Sequence, residues 1–195
     1  MNKVITTAAV ILCLAGSARA GDAKTSHRST TLAGSSHQVL IGAEIESALP
    51  LSSTYSNLNG IGGGALLTIE YPVMEQLSVT GRAGFQYHLD KSPFPGVDSH
   101  VHAIPVLLGA KYYVMQNDRQ GLFASAEVGT FGLMVSASGG GTTASDTQLK
   151  IGMGLGAGYQ WNQWSFRANV HAQDIGNFGD FVMVTGGVGY QFAGF

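Results

Sequence analysis

Apolar and polar residues alternate with a period of two in eight segments of the chain, a pattern that predicts β-strands with one apolar face. The segments span residues 39–46, 65–71, 79–88, 104–112, 122–129, 149–161, 164–171 and 182–192. In the first segment, Ile41, Ala43 and Ile45 share one face, and the residues between them share the other. The pattern predicts an all-β fold.

Charged residues within these segments occupy only the face opposite the apolar one. The eight of them are Glu44, Glu46, Glu70, Arg82, Lys111, Glu127, Lys150 and Arg167, and their charges sum to zero. A transmembrane barrel has this pattern, because its outward face contacts lipid while its inward face lines a polar lumen. A one-residue slip would move charges into lipid, at up to about 2–4 kcal/mol for each Arg or Lys near the midplane. We therefore predict an eight-stranded antiparallel up-and-down transmembrane β-barrel.

The connections between the segments alternate in length, with long loops predicted at residues 50–59, 89–99, 134–146 and 174–179. Long outer loops and short periplasmic turns are typical of outer-membrane barrels. Aromatic residues on the lipid face beside the short turns predict an interfacial girdle. Its members are Tyr71, Tyr112, Tyr159, Trp161, Trp164, Tyr190 and Phe192.

The N-terminal segment 1–20 has the organisation of a secretory signal peptide. It has a basic start at Lys3, an apolar run over residues 4–16, and the small-x-small site Ala18-Arg19-Ala20. A lipoprotein signal is disfavoured, because Leu12 before Cys13 is not the small residue that such processing requires. We expect residues 21–36, which show no apolar periodicity, to form a flexible periplasmic leader, and residues 37–195 to form the barrel.

The composition of the chain argues against several other structural classes. The expected mature chain has no cysteine, which excludes disulfides and thiolate metal sites. It also has no run of about 18 apolar residues, which argues against helical spans. The sequence is 45% hydrophobic and only 11% charged, with 28 glycines. A secreted β-sandwich is the alternative fold, but its solvent face would carry many more charges than these segments do.

Three segments resemble the small outer-membrane β-barrel family of Gram-negative bacteria, which includes the barrel domain of outer membrane protein A and the X-type adhesion barrels. They are Ile104-Pro-Val-Leu-Leu-Gly-Ala-Lys-Tyr-Tyr113, Gly154-Leu-Gly-Ala-Gly-Tyr-Gln-Trp161 and Gly187-Val-Gly-Tyr-Gln-Phe192. The resemblance implies a location in the cell outer membrane and insertion by the barrel-assembly machinery, which recognises an aromatic residue on the last strand. Phe192 continues the alternation, whereas the terminal Phe195 is out of phase by one.

The inward charges allow two interpretations. We favour a plugged lumen, because an eight-stranded barrel is just wide enough for side chains to fill it and an unpaired buried charge is unfavourable. Counting from the turns makes Arg82 with Glu44, and Lys111 or Arg167 with Glu70, depth-compatible pairs. The alternative is a narrow pore for small solutes, with the glycines from Gly152 to Gly158 leaving room.

A lipid A-modifying enzyme is the second alternative, because His100 and His102 lie near Ser92, Ser99 and Asp98 in sequence. Polar residues at a loop end are ordinary, so we predict no enzymatic activity. His100 and His102 supply only half a zinc ligand set, and we expect no metal or cofactor. Basic patches for nucleic acid are absent from the sequence.

We therefore expect a monomeric barrel with a structural or adhesion-like role in the cell envelope. Its expected partners are outer-membrane lipid, lipopolysaccharide and the assembly machinery. Host or surface ligands would bind through the outer loops, which carry Asp90, Asp98, Asp146, Asp174 and Asp180 against Lys91 alone.

Overall fold

The structure, a computed structural model, describes residues 38–94, 97–114, 120–140 and 142–195, most of which lie in β-strands. The strands are β1 Leu40–Pro50, β2 Gly62–Pro72, β3 Leu77–His88, β4 Lys91–Phe94, β5 Val97–Tyr113, β6 Gly121–Gly139, β7 Thr142–Trp161, β8 Trp164–Ala172 and β9 Val182–Gly194. Helix α1 spans Ser53–Leu58, and a 3₁₀ helix spans Ile175–Asn177. The predicted signal peptide and leader lie outside the described residues.

Eight of the strands form a closed antiparallel ring. Their order is β3-β2-β1-β9-β8-β7-β6-β5, and β5 pairs back onto β3 to close it. The short strand β4 is not part of the ring and pairs only with the start of β5. The predicted fold and strand number are confirmed.

The two faces of the ring differ as the alternation predicts. Outward side chains such as Ile45 and Leu155 are 68% and 67% exposed, although they are strongly apolar. Inward neighbours such as Glu44 and Glu127 are buried. An exposed apolar surface around a closed barrel is stable in a lipid bilayer, because lipid tails solvate it and no strand edge remains open in the ring. No helix in the described part of the chain has the length and apolar content needed to cross a membrane.

The predicted outer loop at residues 134–146 is wrong, because β6 and β7 continue through it. They pair as far as Gly139 with Thr142, and Gly140 adopts a left-handed φ of 59° at the turn. Strands β5, β6 and β7 have 17, 19 and 20 residues, whereas β8 has 9. We call residues 97–103, 131–139 and 142–150 the outer extension. Its Ser, Thr and Gly residues obscure the alternation of apolar and polar positions along the strands, but the backbone pairing between β6 and β7 continues.

A β-bulge explains the phase of the C-terminal aromatic residues. Ile41 pairs with Ala193 and Gly42 pairs with Gln191, so Phe192 is the extra residue. Beyond the bulge, backbone hydrogen bonds in both directions join Phe195 to Val39. Phe192 and Phe195 are consequently both exposed, at 55% and 71%. The bulge compensates for the one-residue phase difference in the sequence.

Candidate functional site

The lumen contains a closed cycle of ion pairs, which we call the upper charged layer. Arg82 donates from Nη2 to Glu44 at 2.9 Å and from Nη1 to Glu127 at 2.9 Å. Arg167 lies 3.0 Å from Glu127 and 3.6 Å from Glu44, on the other oxygen of each carboxylate. Glu46 adds a third carboxylate to Arg82, at 3.1 Å, and accepts a hydrogen bond from Gln86. All five ionisable side chains are buried.

The four residues of the cycle come from every second strand of the ring. Acids stand on β1 and β6, and arginines stand on β3 and β8, so the two signs alternate around the lumen. Each ion pair therefore connects two strands that have another strand between them. This placement follows from the two-residue period, because all four side chains point inward at similar depth.

A second, lower layer occupies the remaining four strands near the short turns. Lys111 on β5 donates to Glu70 on β2 at 3.0 Å and to Gln160 on β7 at 2.9 Å. Glu70 also accepts from the Tyr113 hydroxyl at 3.0 Å and from Gln191 on β9 at 3.3 Å. The Lys111 ammonium lies 4.3 Å from the centroid of the Phe123 ring. Layers built from alternate strands are a known way to fill a small barrel.

Two of the pairs that the sequence suggests are present in the structure, Arg82 with Glu44 and Lys111 with Glu70. Arg167 does not pair with Glu70; it binds Glu44 and Glu127. Lys150 also differs from expectation. It binds Asp174 in the β8–β9 loop at 2.9 Å and stays partly exposed. The buried strand charges are consequently four carboxylates and three bases, from Arg82, Lys111 and Arg167.

The Asp174 carboxylate organises the β8–β9 loop as well as binding Lys150. It accepts hydrogen bonds from the Gly176 backbone at 2.9 Å and from the Asn177 side chain at 3.0 Å, which caps the 3₁₀ helix. Hydrogen bonds from Asn177 and Lys150 lower the pKa of Asp174 to about 2. The carboxylate is therefore ionised at physiological pH, and Lys150 holds the loop against β7.

Glycines make room for the inward side chains. Glu127 faces Gly109 and Gly154 on its neighbouring strands, and Arg167 faces Gly158 and Gly187. A Cβ on Gly158 would lie 2.2 Å from the Phe166 carbonyl oxygen and 2.4 Å from the Phe123 ring. The alternating glycines of β7 thus seat large groups from adjacent strands.

Above the charged layers the lumen is filled by apolar side chains, which we call the apolar plug. Its members are Ala48, Tyr55, Val101, Ala103, Leu107, Phe131, Leu133 and Met183, all buried in one cluster. Tyr55 comes from α1 in the β1–β2 loop, so a loop residue completes the filling. Between the two charged layers a cavity of about 30 Å³ remains, lined by Glu44, Glu70 and Arg82 among others. A cavity of this size is close to the volume of one water.

The predicted girdle residues all lie on the outward face and are exposed. Tyr112 and Tyr190 hydrogen-bond Gln76 and Gln163 in the adjoining turns, at 3.0 and 2.8 Å. Trp164 packs on Tyr190, with ring centroids 4.9 Å apart. The remaining members are Tyr71, Tyr159, Trp161 and Phe192. Their apolar rings with polar tips suit a membrane–water interface.

The histidines near the outer end do not form a nucleophile site with Ser92. His100 and His102 stack at 4.3 Å between centroids, and His100 Nδ1 lies 2.7 Å from Asp90. The Ser92 hydroxyl donates to Asp98 and not to an imidazole. The structure therefore places Ser92 beside a carboxylate and not beside the imidazole that the sequence suggested as its base. In the described ranges no group of three or more His, Cys, Asp or Glu side chains could hold a metal ion.

The outer extension has one uncovered edge. β7 pairs with β8 only from Met153 onward, so residues 143–152 have a ladder partner only on β6 in the described structure. Residues 142–149 are exposed throughout. The opposite edge of the extension, on β5, is covered by β4 through the pair Lys91–Ser99. Sequence periodicity does not reveal this edge, because it depends on the short length of β8.

Comparison with solved structures identifies the fold. Ail, the attachment invasion locus protein of Yersinia pestis, matches with a TM-score of 0.58 at 13% identity, over 81% of this chain and 100% of that chain. Its complex with the heparin analogue sucrose octasulfate matches with a TM-score of 0.57 at 15% identity, over the same shares. The N-terminal β-barrel domain of Pseudomonas aeruginosa OprF matches with a TM-score of 0.51 at 14% identity, over 80% of this chain and 99% of that chain.

No protein-family model and no curated protein matches the sequence. The structural similarity is at the level of the fold, which is that of small outer-membrane barrels. The resemblance found in the sequence motifs is confirmed at that level, and the predicted outer-membrane location agrees with it.

Replacing Arg82 by Met should destabilise the barrel strongly. Glu44 and Glu127 would then share Arg167, and Glu46 would keep only its hydrogen bond from Gln86. An uncompensated buried charge costs about 3–5 kcal/mol. Lys150→Met, at a partly exposed ion pair, should cost about 1 kcal/mol or less. Urea unfolding in lipid vesicles, followed by Trp fluorescence, measures both. Equal midpoints for the two variants would contradict the role of the upper charged layer.

Gly158→Ala should destabilise the barrel by about 1–3 kcal/mol, because the added methyl group overpacks the lumen against a backbone oxygen. Gly81→Ala is the matched control on the outward face, where the new Cβ would lie 3.8 Å from Leu108. Heat-dependent loss of the compact form on gel electrophoresis gives the midpoint temperature of unfolding for each variant. If Gly81→Ala lost as much stability as Gly158→Ala, overpacking would not be the cause.

Proposed function

We propose that the protein is a sealed outer-membrane barrel that binds extended segments of other proteins along the free edge of β7. The uncovered edge over residues 143–149, seen in the described part of the chain, is the observation that carries this proposal. An exposed strand edge offers a row of unpaired backbone donors and acceptors, and another chain can add to it as a further strand.

The residues of this edge lack the features by which proteins usually block such pairing. The segment Thr143-Ala-Ser-Asp-Thr-Gln-Leu149 contains no proline and no lysine, and its only charge is Asp146; the next residue, Lys150, is on the inward face and pairs with Asp174. Thr is a strong strand former. β4, by contrast, covers the β5 edge with the sequence Lys-Ser-Pro-Phe, which includes both protective residue types. The extension is therefore protected on one side and open on the other.

The register identifies which backbone groups face the open edge. Two residues connect β6 and β7, and such turns make the flanking pair Gly139–Thr142 a hydrogen-bonded one. Alternate residues then bond to β6, and those between them direct their N–H and C=O groups away from it. Thr143, Ser145 and Thr147 belong to this second set. Their side chains share the face that continues the lipid-facing side of the barrel.

The charge of the outer end indicates the kind of partner. Asp90, Asp98, Asp146, Asp174 and Asp180 lie there with two lysines, and Lys150 is already paired with Asp174. A polyanion such as the heparin analogue bound by Ail would be repelled by this surface. A neutral or basic extended segment suits it better.

The sealed lumen is the second part of the proposal. The upper charged layer, the lower layer and the apolar plug lie in series along the barrel axis, and a solute would have to disrupt all three. This arrangement favours a structural and surface-interaction role over the narrow porin-like channel. Since Ser92 bonds to Asp98, we propose no lipid-modifying activity.

The surroundings of the barrel follow from the same surfaces. We propose that the girdle contacts the headgroup region of the outer membrane and that the outer end contacts lipopolysaccharide. We further propose that the assembly machinery recognises the last strand through its exposed aromatic residues, Phe192 and Phe195. The described outward surface of the ring is apolar and has no open edge, which supports a monomer in the membrane.

Replacing Ser145 and Thr147 together by proline should abolish partner binding while leaving the barrel folded. Proline removes two donors that face the open edge and none that bonds to β6, and proline is tolerated on edge strands. Adhesion to cultured epithelial cells, by bacteria displaying equal amounts of each variant, is the measurement. We expect the proline variant to adhere no better than bacteria lacking the protein.

The control for this experiment is Ser145→Val with Thr147→Val. It changes the same side chains but keeps both N–H groups, so adhesion should remain within about twofold of wild type. Equal adhesion of the proline variant and wild type would overturn the proposal. Equal loss in the valine variant would assign binding to the side chains of this face.

Refolded wild-type protein in planar bilayers should show no stable single-channel conductance. Arg82→Ala should also remain closed, because the lower layer and the apolar plug are intact in that variant. Reproducible openings in wild type, altered by Arg82→Ala, would instead establish the pore.

A further inference from the structure

The outer half of the lumen has the features of an apolar binding pocket that the chain itself occupies. Its wall is formed by inward residues of the ring strands, including Val101, Leu107, Phe131 and Met183, all buried. These positions follow the charged residues along the same inward faces: Ala48 comes two residues after Glu46, and Phe131 comes four after Glu127. Polar residues would suit a lumen open to water, so this lining is suited to an apolar occupant.

The occupant is the side chain of Tyr55, which does not belong to the barrel wall. Helix α1 delivers it from the outer end, and its ring is fully buried. Its ring centroid lies 5.7 Å from that of His88, edge to face, and 5.3 Å from that of Phe181. Burial raises the pKa of the Tyr55 hydroxyl above its ordinary value, so the phenol is neutral.

The polar groups around this ring are not satisfied by it. The Tyr55 hydroxyl lies beside the side chains of Asn59 and Gln173, but it makes no well-aligned hydrogen bond to either. In the described part of the chain no well-aligned hydrogen bond reaches the Gln173 carbonyl oxygen or the His88 ring, which lies beside the Val101 backbone, although both residues are completely buried. Buried polar groups without partners are unfavourable by about 1–3 kcal/mol each. Tyr55 therefore fills the space without matching the polar groups at its end.

We propose that this pocket binds a small neutral aromatic alcohol from outside the cell, and that Tyr55 is a tethered occupant which the ligand displaces. The apolar wall would hold the ring, and Gln173 and His88 would hydrogen-bond the hydroxyl. A free ligand can adjust its position to reach these groups, whereas the Tyr55 ring is constrained by α1. The proposal is independent of strand binding at the β7 edge.

Displacement requires release of α1 from its anchors. Leu51 and Ser52 donate backbone hydrogen bonds to the Val182 carbonyl at 2.8 and 3.3 Å. The Asn59 side chain bonds both to the N–H and to the carbonyl of Val101. The free energy of releasing these bonds lowers the apparent affinity, since only the open fraction of molecules can bind.

The test uses p-cresol, the tyrosine side chain as a free molecule, with the full-length barrel refolded in lipid nanodiscs. Calorimetry on wild type and on Tyr55→Ala gives the affinities, and hydrogen exchange of residues 51–60 reports release of α1. The double variant Tyr55→Ala with Ala103→Phe fills the pocket with a side chain from the barrel wall. Any p-cresol that this variant takes up is therefore dissolved in the lipid. Tyr159→Ala, in the girdle, is the control for loss of a tyrosine elsewhere.

We expect Tyr55→Ala to bind one p-cresol per barrel, and to bind toluene, which has no hydroxyl, at least fivefold more weakly. Wild type should bind p-cresol at least tenfold more weakly than Tyr55→Ala, with faster exchange at residues 51–60. The refilled variant should bind none, and Tyr159→Ala should match wild type.

Absence of both p-cresol binding and faster exchange in wild type would overturn the proposal and leave Tyr55 as a permanent plug. Equal affinity of Tyr55→Ala for toluene and p-cresol would overturn the assigned ligand class. The wild-type measurements remain decisive if Tyr55→Ala does not fold.

Discussion

Pairing of charge inside a narrow barrel is the constraint on which the rest of this structure depends. Lipid surrounds the ring, so a charged residue on a strand must point inward, and inside it must find a partner. The upper charged layer meets this requirement with four residues, one on each of four alternate strands. The intervening strands contribute glycines beside Glu44, Glu127 and Arg167, and at another depth they contribute the lower layer. The positions of these glycines follow from the positions of the charges.

The lumen changes character along its axis because the side-chain types on the inward faces change. The charged layers lie toward the short turns, whereas the apolar plug lies toward the outer end. Both functions that we propose are located at the outer end, where the extension and α1 are.

The sequence allows prediction of the features that depend on a period of two. The inward position of Arg82 and the outward position of Leu155 follow directly from it. The partners of Arg167 and Lys150 do not follow, because they depend on the stagger between strands and on the position of the β8–β9 loop. Tyr55 gives no sequence signal for its place in the lumen, since α1 reaches it through long-range contacts. The bulge at Phe192 appears in the sequence only as the one-residue phase difference of Phe195, which does not indicate where the extra residue lies.

The continuity of β6 and β7 from the tip of the extension into the membrane has a mechanical consequence. A pull on the tip acts along the strand axes, whereas the hydrogen bonds between antiparallel strands lie across them. The load is therefore shared by many bonds in shear instead of opening them one at a time. The part of each strand within the bilayer anchors the extension, so a molecule attached at its edge would be held against flow without any hinge at the membrane surface.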